Sequence, residues 1–425
     1  MKQVLDLHIH SPYSRACSPQ LTLVNLEKTC QEKGVDIIAT GDFTYPAWFK
    51  RLESELEETF SGSGLYKLKS AKDDRIKFIL STEVALIYKD GDKARRIHLV
   101  VHAPSLAAVR ELNQFLGKKY NIKSDGRPIL GIKAPDFVRL LLDIDPYFLV
   151  YPAHIWTPWF AVFGSKSGFN TLEECFHEET PNIYAFETGL SSDPAMNWRL
   201  SALDNLTLLS SSDAHSPANI GREATVMELE EPISYHQIYD IIKSRRCGGP
   251  SGLLHTLEFY PEEGMYHLDG HRDCGFSCLP AESARLNNIC PVCQKSLVIG
   301  VLNRVAELAD RPDGFVPEKA VPFKKLIELD KIIAEAMGVK SRTSLKVRKE
   351  YERLLTVGGN ELNILIDLDL DKLVTDFDAR IISGIKQARA SELFIEPGFD
   401  GQYGRISIFS ASDNSELSSQ IKITL

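Results

Sequence analysis

Short apolar runs that end in histidine or acidic residues are the feature that most restricts how this chain can fold. Up to about residue 255, runs rich in β-branched residues alternate with longer helix-compatible stretches, which is typical of repeated βα units around a parallel sheet. The predicted strands are residues 4–9, 35–40, 77–82, 97–101, 147–153, 183–187 and 206–211. Because parallel β/α barrels collect side chains at the carboxyl ends of their strands, we expect one polar rim.

Each predicted strand carries a candidate metal ligand within it or just after it. A lone histidine at a strand end is more often structural than a ligand, but seven strands in succession make the structural interpretation poor. The candidate ligands are His8, His10, Asp42, Glu83, His98, His102, His154, Asp213 and His215, with Glu187 as a further ligand or a support behind one.

The spacing of these residues favours a cluster of cations. His8 and His10 lie two apart in an extended segment, so their side chains point to the same face, and Asp213 and His215 repeat this spacing. A carboxylate such as Glu83 can bridge two cations. Mixed histidine and carboxylate ligands fit zinc or manganese better than calcium, which prefers oxygen ligands alone. We expect a site with more than one divalent metal, for which magnesium is a further candidate ion.

Length and charge limit the classes of protein to consider. A chain of 425 residues with 43% hydrophobic and 25% charged residues is expected to fold as two or three globular domains. A net charge of −9 argues against nonspecific coating of nucleic acid, although a local basic surface stays possible. No secretory signal and no apolar run of about 18 residues is evident, which predicts a cytoplasmic protein without a membrane span.

Four of the eight cysteines are clustered. Cys274 and Cys278 are separated by three residues, Cys290 and Cys293 by two, and eleven residues lie between the pairs. Two close pairs of thiols in a cytosolic chain are typical of a structural tetrahedral zinc site, so one structural zinc is predicted on these four cysteines. His267 and His271 lie nearby and are alternatives for one ligand.

The pattern of the chain changes after residue 255. We predict a barrel over residues 1–255, a small zinc-binding module over 256–322, and a C-terminal mainly helical domain over 323–425. Apolar residues recur at three- and four-residue spacing within FKKLIELDKIIAEAM and SLKVRKEYERLL, which predicts two amphipathic helices. IEPGFDGQYGRISIF is predicted to form a turn-rich hairpin.

The motifs of the first 250 residues resemble those of the polymerase and histidinol phosphatase (PHP) phosphoesterases. DLHIHS, GDF, STE, IHL, YPAH and DAH occur in that family's order at predicted strand ends. The resemblance implies a distorted seven-stranded parallel β/α barrel with up to three metals. His98 matches the family motif, while His102 lies nearer the strand end, and both are kept. Phe43 stands where the family has a histidine.

The whole chain resembles a narrower family, endonuclease Q. The resemblance rests on SPYSRACSPQ, GDFTYP, YPAHIWTPWF, SSDAHSPANIGREAT and GFDGQYG, together with the zinc module and the helical C-terminus. It implies a DNA repair enzyme that hydrolyses the phosphodiester 5′ of deaminated bases (uracil, hypoxanthine, xanthine) and of abasic sites. In this scheme Asp42, Glu83 and Asp213 belong to the catalytic set, and Asp213 is the best candidate for an indispensable residue.

Basic residues outside the rim are candidate contacts to the DNA backbone. Arg342, Lys346, Lys349 and Arg353 have the spacing of one helical stripe; Lys118, Lys119, Lys123 and Arg127 lie in an apparently irregular stretch; Arg222 follows the last predicted strand. A solvated helix face is an equally good interpretation of the stripe. Aromatic residues after the second and fifth predicted strands are expected either to stack on bases or to pack loops on the barrel.

Two rival functions stay open on the sequence alone. A PHP phosphatase acting on small phosphate esters would use the same metals without a zinc module, and a DNA-binding adaptor would have lost them. The last residues, SQIKITL, faintly resemble a peptide that binds a sliding clamp, although Ile and Leu at a terminus more often complete a strand.

Overall fold

The protein is a mixed α/β structure, described here over residues 1–410 from a computed structural model. The strands before residue 260 are β1 (Lys2–Asp6), β2 (Ile37–Ala39), β3 (Leu56–Glu58), β4 (Leu65–Leu68), β5 (Lys77–Ile79), β6 (Ser81–Asp90), β7 (Lys93–His102), β8 (Ile129–Leu130), β9 (Leu149–Pro152), β10 (Ala185–Glu187), β11 (Thr207–Leu209), β12 (Ala224–Glu228) and β13 (Gly252–Glu258). The helices of the same region are α1 (Leu23–Lys33), α2 (Pro46–Glu55), α3 (Leu106–Lys119), α4 (Ala134–Ile144), α5 (Leu172–Phe176), α6 (Pro194–Asn197) and α7 (Tyr235–Ser244).

Local sequence signals fix where several of these helices begin and end. The side chains of Thr22, Ser105 and Ser234 each accept a hydrogen bond from a backbone N–H in the first turn of α1, α3 and α7. Gly34 ends α1 in a left-handed conformation with φ of 90°. These caps set the lengths of the helices that follow β1 and β7.

All seven predicted strands form, as β1, β2, β5, β7, β9, β10 and β11. The prediction of a wholly parallel sheet was wrong. β1, β2 and β5 pair in parallel, as do β10 and β11, but β7 pairs antiparallel with both β6 and β9, and β12 pairs antiparallel with β1. The reason is a tight hairpin: Asp90 pairs with Lys93, and Gly91 between them has φ of 57°, a connection that joins only antiparallel strands.

The hydrogen-bonded ladders before residue 260 form three sheets. The largest has eight strands, since β16 (Phe323–Lys325) joins it in parallel beside β13; β8, β6, β7 and β9 form a second sheet, and β10 and β11 a third. Among residues 1–410 these ladders do not join into one closed barrel. A mixed α/β fold with a large central sheet is therefore what the structure establishes.

The later part of the chain contains the predicted helices and hairpin. Its helices are α8 (Pro280–Arg285), α9 (Val301–Leu308), α10 (Leu329–Ala336), α11 (Leu345–Gly358), α12 (Glu361–Ile366) and α13 (Ala379–Ala390), and its further strands are β14 (Asp269–His271), β15 (Phe276–Cys278), β17 (Phe394–Glu396) and β18 (Arg405–Ser407). β17 and β18 pair antiparallel, which confirms the hairpin. Ile332, Leu354 and Ile385 share a core separate from the N-terminal one. The exact domain boundaries stay a prediction.

No helix within residues 1–410 is long and apolar enough to cross a membrane. The candidate clamp-binding peptide, residues 419–425, lies outside the described part of the chain. Clamp binding and cytoplasmic location both stay predictions.

Candidate metal centre

Six of the predicted ligands converge at one edge of the sheets. His8 and His10 follow β1, Glu83 and His98 lie in β6 and β7, His154 follows β9, and Asp213 follows β11. They form two groups, within each of which the candidate ligand atoms all lie within 4.8 Å of one another. One group is His8, His10 and Asp213, and the other is Glu83, His98 and His154.

Glu83 connects the two groups. Its Oε1 lies 2.7 Å from Nδ1 of His98 and 3.0 Å from Nε2 of His154. Its Oε2 lies 3.4 Å from Nε2 of His10 and 3.8 Å from Nε2 of His8. Because the two carboxylate oxygens face different groups, Glu83 has the geometry of a bridge between two cation positions.

Three buried polar atoms in the first group favour a cation there. Nε2 of His8, Nε2 of His10 and Oδ1 of Asp213 are buried and form no hydrogen bond of acceptable geometry with the described residues. The two atoms of His10 and Asp213 are only 3.1 Å apart. Buried polar atoms are rarely left unsatisfied, so three that converge on one point fit a divalent metal.

The charges of the centre keep its carboxylates ionised. Burial alone would raise the pKa of Asp213, but His10 and His8 lower it below its ordinary value. Burial would likewise raise the pKa of Glu83, but His98 and Arg127 hold it well below its usual range. Both side chains are therefore acceptors, and not donors, at neutral pH.

Two further acidic residues support histidines and face away from the metal positions. Both oxygens of Glu187 accept hydrogen bonds from Nδ1–H of His8 at 3.0 and 3.1 Å, and its Oε2 also accepts one from the backbone N–H of His154. Oδ1 of Asp42 accepts one from Nδ1–H of His10 at 3.1 Å. These contacts leave Nε2 of each histidine free to bind a metal, as carboxylates behind metal-bound histidines commonly do.

Asp42 is held in place by neighbours that the sequence analysis did not select. Its Oδ2 accepts hydrogen bonds from the backbone N–H and the hydroxyl of Ser11 and from the hydroxyl of Ser14. Gly126 packs so close that a Cβ there would lie 2.3 Å from Asp42 Oδ2. Both oxygens of Asp42 thus accept hydrogen bonds from protein groups, which favours a positioning role over the predicted role as a ligand.

The structure distinguishes His98 from His102, both of which are candidate metal ligands by sequence. His102 is buried and its Nε2 lies 3.0 Å from the hydroxyl of Tyr151. Burial, with His8 nearby, lowers the pKa of His102 to about 3, and His102 lies in neither ligand group, which favours a structural role. His215 lies at the rim, with its ring 4.5 Å from that of His10, and is outside both groups.

The loops that carry the centre have unusual backbone conformations. Asp42, His154 and Asp213 have φ of 46°, 29° and 46°. Positive φ costs a residue other than glycine on the order of 1–3 kcal/mol and is concentrated at functional sites. These residues lie shortly after strand ends, where His154 and Asp213 reach the two ligand groups and Asp42 lies behind His10.

Arg127 lies in the centre itself. Its NH1 donates a hydrogen bond to Oε2 of Glu83 at 2.9 Å, and 28% of its side chain is exposed. The sequence placed it in a basic stretch with Lys118, Lys119 and Lys123. Those three lysines are exposed at and beyond the end of α3 and are not brought to the metal centre.

Several other predicted DNA contacts have protein partners. Arg222 donates to the carbonyl of Ser212 beside Asp213. Arg342 lies before α11, because Ser344 caps that helix, and pairs with Glu328. Arg353 pairs with Glu350, whereas Lys346 and Lys349 are exposed. The predicted helical stripe therefore contains three basic residues, one of which is neutralised.

Some aromatic residues near the centre pack the loops, and others are exposed enough to stack on a base. Phe43, Trp48, Trp156 and Phe163 are buried and pack the loops. The rings of Tyr13 and Tyr45, both half-buried, stack 4.6 Å apart, and Trp159 is 40% exposed. Only the second set is accessible to a base.

The clustered cysteines assemble with a histidine. The candidate ligand atoms of His271, Cys274, Cys290 and Cys293 all lie within 4.8 Å of one another, and Cys278 is not in this group. Burial would raise the pKa of Cys290, but the backbone N–H groups of Cys293 and Val292 lower it, which favours a thiolate. His271-x2-Cys274 has the same spacing as Cys290-x2-Cys293, a signal that could have identified this group in the sequence.

A buried carboxyl pair lies beside the strand that carries Glu187. Thr188 donates a hydrogen bond to Oε2 of Glu258, and the backbone N–H of Phe259 donates one to Glu223. Burial, and then the charge of Asp193, raises the pKa of Glu258 from 4.5 to about 8. Burial and the nearby Glu258 raise the pKa of Glu223 as well.

Glu258→Gln is expected to flatten the pH dependence of stability. The folded pKa of Glu258 lies above the unfolded one, so its contribution is fully present below about pH 4.5 and is lost as pH rises through about 8. Between these values the wild-type protein should lose up to about 1.4 kcal/mol per pH unit relative to the variant. Denaturant unfolding of both proteins at several pH values measures this difference, and parallel curves would contradict it.

Known proteins resemble both the C-terminal region and the whole chain. Residues 328–392 match the family described as MJ0043 C-terminal domain. The uncharacterized protein MJ0043 of Methanocaldococcus jannaschii is 31% identical over 257 residues, a match that covers 59% of this chain but only 31% of that protein. The uncharacterized protein YqxK of Bacillus subtilis is 26% identical over 422 residues, which is 96% of this chain and 100% of that one.

Two solved structures share the complete fold. The lesion-specific endonuclease PfuEndoQ from Pyrococcus furiosus superimposes with a TM-score of 0.83 at 28% identity, over 98% of this chain and 99% of its own. An endonuclease Q in complex with a 27-mer duplex substrate that has an abasic lesion at the active site superimposes with a TM-score of 0.82 at 30% identity, over 96% and 97%. With that identity over nearly the full length of both chains, the protein belongs to the endonuclease Q family.

Proposed function

We propose that the protein is a metal-dependent DNA repair endonuclease that hydrolyses the phosphodiester 5′ of deaminated bases (uracil, hypoxanthine, xanthine) and of abasic sites. The observation that carries the proposal is the pair of ligand groups joined by Glu83, within a chain that superimposes on an endonuclease Q bound to an abasic-lesion duplex. We further propose that the three sheets around this centre are a distorted PHP barrel.

His8, His10 and Asp213 would hold one cation, and His98 and His154 a second, with Glu83 between them. Divalent metals bound there would lower the pKa of an attacking water and neutralise charge on the scissile phosphate and the departing oxygen. We propose zinc, manganese or magnesium, and two positions that could extend to three at the rim through His215.

The remaining side chains position the ligands and the substrate. Glu187 and Asp42 hold Nδ1–H of His8 and His10, which fixes both rings with Nε2 toward the centre. Arg127 lies beside Glu83 with part of its guanidinium exposed, where it can bind a phosphate oxygen of the DNA. The accessible rings of Tyr13, Tyr45 and Trp159 are candidate stacking partners for a displaced base.

Cleavage of defined duplexes tests the proposal. End-labelled duplexes with one uracil, one hypoxanthine, one abasic site or no lesion are incubated with the protein and magnesium or manganese. A single nick directly 5′ of each lesion, and none in the undamaged duplex, is expected. Intact DNA together with phosphate release from small phosphate esters would replace the endonuclease with the phosphatase alternative.

We also propose that one structural zinc is bound by His271, Cys274, Cys290 and Cys293. His271→Ala should remove this zinc, whereas Cys278→Ser should retain it, because Cys278 lies outside the ligand group. Zinc content per chain is measured after dialysis against a weak chelator, with Asp213→Asn and His154→Ala added to each variant to remove the contributions of both ligand groups of the other centre. Loss of zinc in Cys278→Ser and not in His271→Ala would restore the four-cysteine site.

A further inference from the structure

A basic groove lies next to the candidate metal centre, on the side of β7. It has a volume of about 620 Å³ and is lined by the first residues of β7, by the loop after His154 and by Arg304 and Glu307 of α9. Exposed Lys93, Arg96 and Lys166 face it, together with Trp159. None of these three basic residues belongs to the stretches that the sequence analysis selected.

The groove lies beside the metal centre because β7 contributes residues to both. Arg96 and His98 are two residues apart in β7, so their side chains point to the same face. Lys93 lies five residues from His98 and starts from the other face, but it stands at the end of the strand beside the hairpin turn and also lines the groove. At about 3.3 Å per residue, the two basic residues lie roughly 7 and 17 Å along the strand from the centre. Phosphates advance by about 3.4 Å per nucleotide along a duplex axis, so these distances correspond to about two and five nucleotides.

The opposite wall of the groove is fixed to β7 and to the centre. The backbone N–H of His98 donates to the carbonyl of Phe160, and that of Arg96 donates to the carbonyl of Ser167. The hydroxyl of Thr157 lies 3.0 Å from Nδ1 of His154 and donates to the carbonyl of Trp159. Hydrogen bonds therefore connect this wall to two of the candidate metal ligands, His98 and His154. A DNA strand bound in the groove would lead towards the metal centre.

The charge of the groove is not cancelled by its own acidic residues. Arg304 is buried and donates to the carbonyls of Phe163 and Phe169, and the nearby Glu307 pairs with it. Arg95 stacks on Phe169 at 3.9 Å and pairs with Asp90. These two arginines hold the wall in place, and Glu307 is the acidic residue among those that line the groove. Lys93, Arg96 and Lys166 then supply the net positive charge.

We infer that this groove binds the phosphate backbone of the DNA that flanks the scissile bond. The inference rests on the proposed function and adds to it a second contact region. Lys93, Arg96 and Lys166 each bind one backbone phosphate, with Arg96 nearer the metal centre than Lys93. The contacts are to phosphates and carry no base preference.

The test compares two triple variants with the same change in charge. Lys93→Gln, Arg96→Gln and Lys166→Gln remove the groove charges. The matched control is Lys2→Gln, Lys28→Gln and Lys72→Gln; Lys2 begins β1, Lys28 lies in α1, and Lys72 lies in the loop before β5. On a lesion duplex, the slope of log kcat/KM against log salt between about 50 and 200 mM KCl should fall by about 2 to 3 in the groove variant only. Hydrolysis of bis(4-nitrophenyl) phosphate should be equal in all three proteins.

Shortened duplexes give the second readout. Wild-type protein should lose affinity when DNA on one side of the lesion ends within about five nucleotides of the scissile bond, and the groove variant should not. If the wild-type protein cleaves the lesion duplex and all three proteins have the same salt slope, the inference about the groove is wrong and the proposed function stands. No binding of any duplex by the wild-type protein would overturn the proposed function and the groove together.

Discussion

Asparagine at position 213 should abolish cleavage of a lesion duplex, with kcat/KM reduced by at least about 10³-fold. Oδ1 of Asp213 is buried, lacks a hydrogen-bond partner among the described residues, and lies 3.1 Å from Nε2 of His10. Asparagine keeps the shape of the side chain but not the negative charge that would offset the cation held by His8, His10 and Asp213. The loss should therefore appear in metal affinity as well as in catalysis.

Manganese titration by calorimetry and single-turnover cleavage measure the two effects of Asp213→Asn separately. Asp143→Asn, at an exposed position of α4, is the matched control and should behave as the wild-type protein. Far-ultraviolet circular dichroism shows whether the fold is retained. Unchanged cleavage by Asp213→Asn would exclude His8, His10 and Asp213 as a metal site.

The positions of the ligands could be predicted because the signal is local. A strand is recognised from its own residues, and the polar residue at its end follows in the sequence, as His154 follows β9 and Asp213 follows β11. The strand directions were not recoverable in the same way. Glu83 and His98 lie on an antiparallel hairpin, and only its short turn at Gly91 indicates this in the sequence.

The roles of the acidic residues depend on contacts between distant segments. Asp42 and Glu83 both follow predicted strands. Asp42 accepts hydrogen bonds from Ser11 and Ser14, whereas the carboxylate of Glu83 faces two groups of candidate metal ligands. Residue type and spacing do not separate these cases. The same holds for His98 and His102, since the contact with Tyr151 that identifies the structural histidine joins two strands.

A basic residue in the sequence likewise does not reveal whether it binds DNA or an acidic residue of the protein. Arg342 and Arg353 are candidate DNA contacts by sequence, and in the structure they pair with Glu328 and Glu350. Lys93, Arg96 and Lys166 form no recognisable run, and only the fold brings them into one groove. A basic surface built from separate loops is invisible to sequence patterns.

Alanine at position 127 should reduce kcat on a lesion duplex by about 10²-fold while metal affinity changes little. NH1 of Arg127 is 2.9 Å from Oε2 of Glu83, and burial would lower the pKa of its guanidinium, but Glu83 and Asp213 raise it, so the group is always charged. Gly126 admits no side chain, which fixes the backbone that presents Arg127 to the centre. The exposed part of the guanidinium is then placed to bind the phosphate as charge builds on it.

Two substitutions distinguish phosphate binding from a merely structural ion pair at position 127. Arg127→Lys keeps the charge beside Glu83 but lacks the planar fork, so it should restore only part of kcat. Methylguanidinium added to Arg127→Ala should restore activity further, because a free cation can occupy the space beside Glu83. Arg139→Ala, which removes a surface pair with Glu178 and Glu179, is the matched control and should leave kcat unchanged. If Arg127→Ala lost metal together with activity, and neither lysine nor methylguanidinium restored it, Arg127 would act by holding Glu83 and not by binding the substrate.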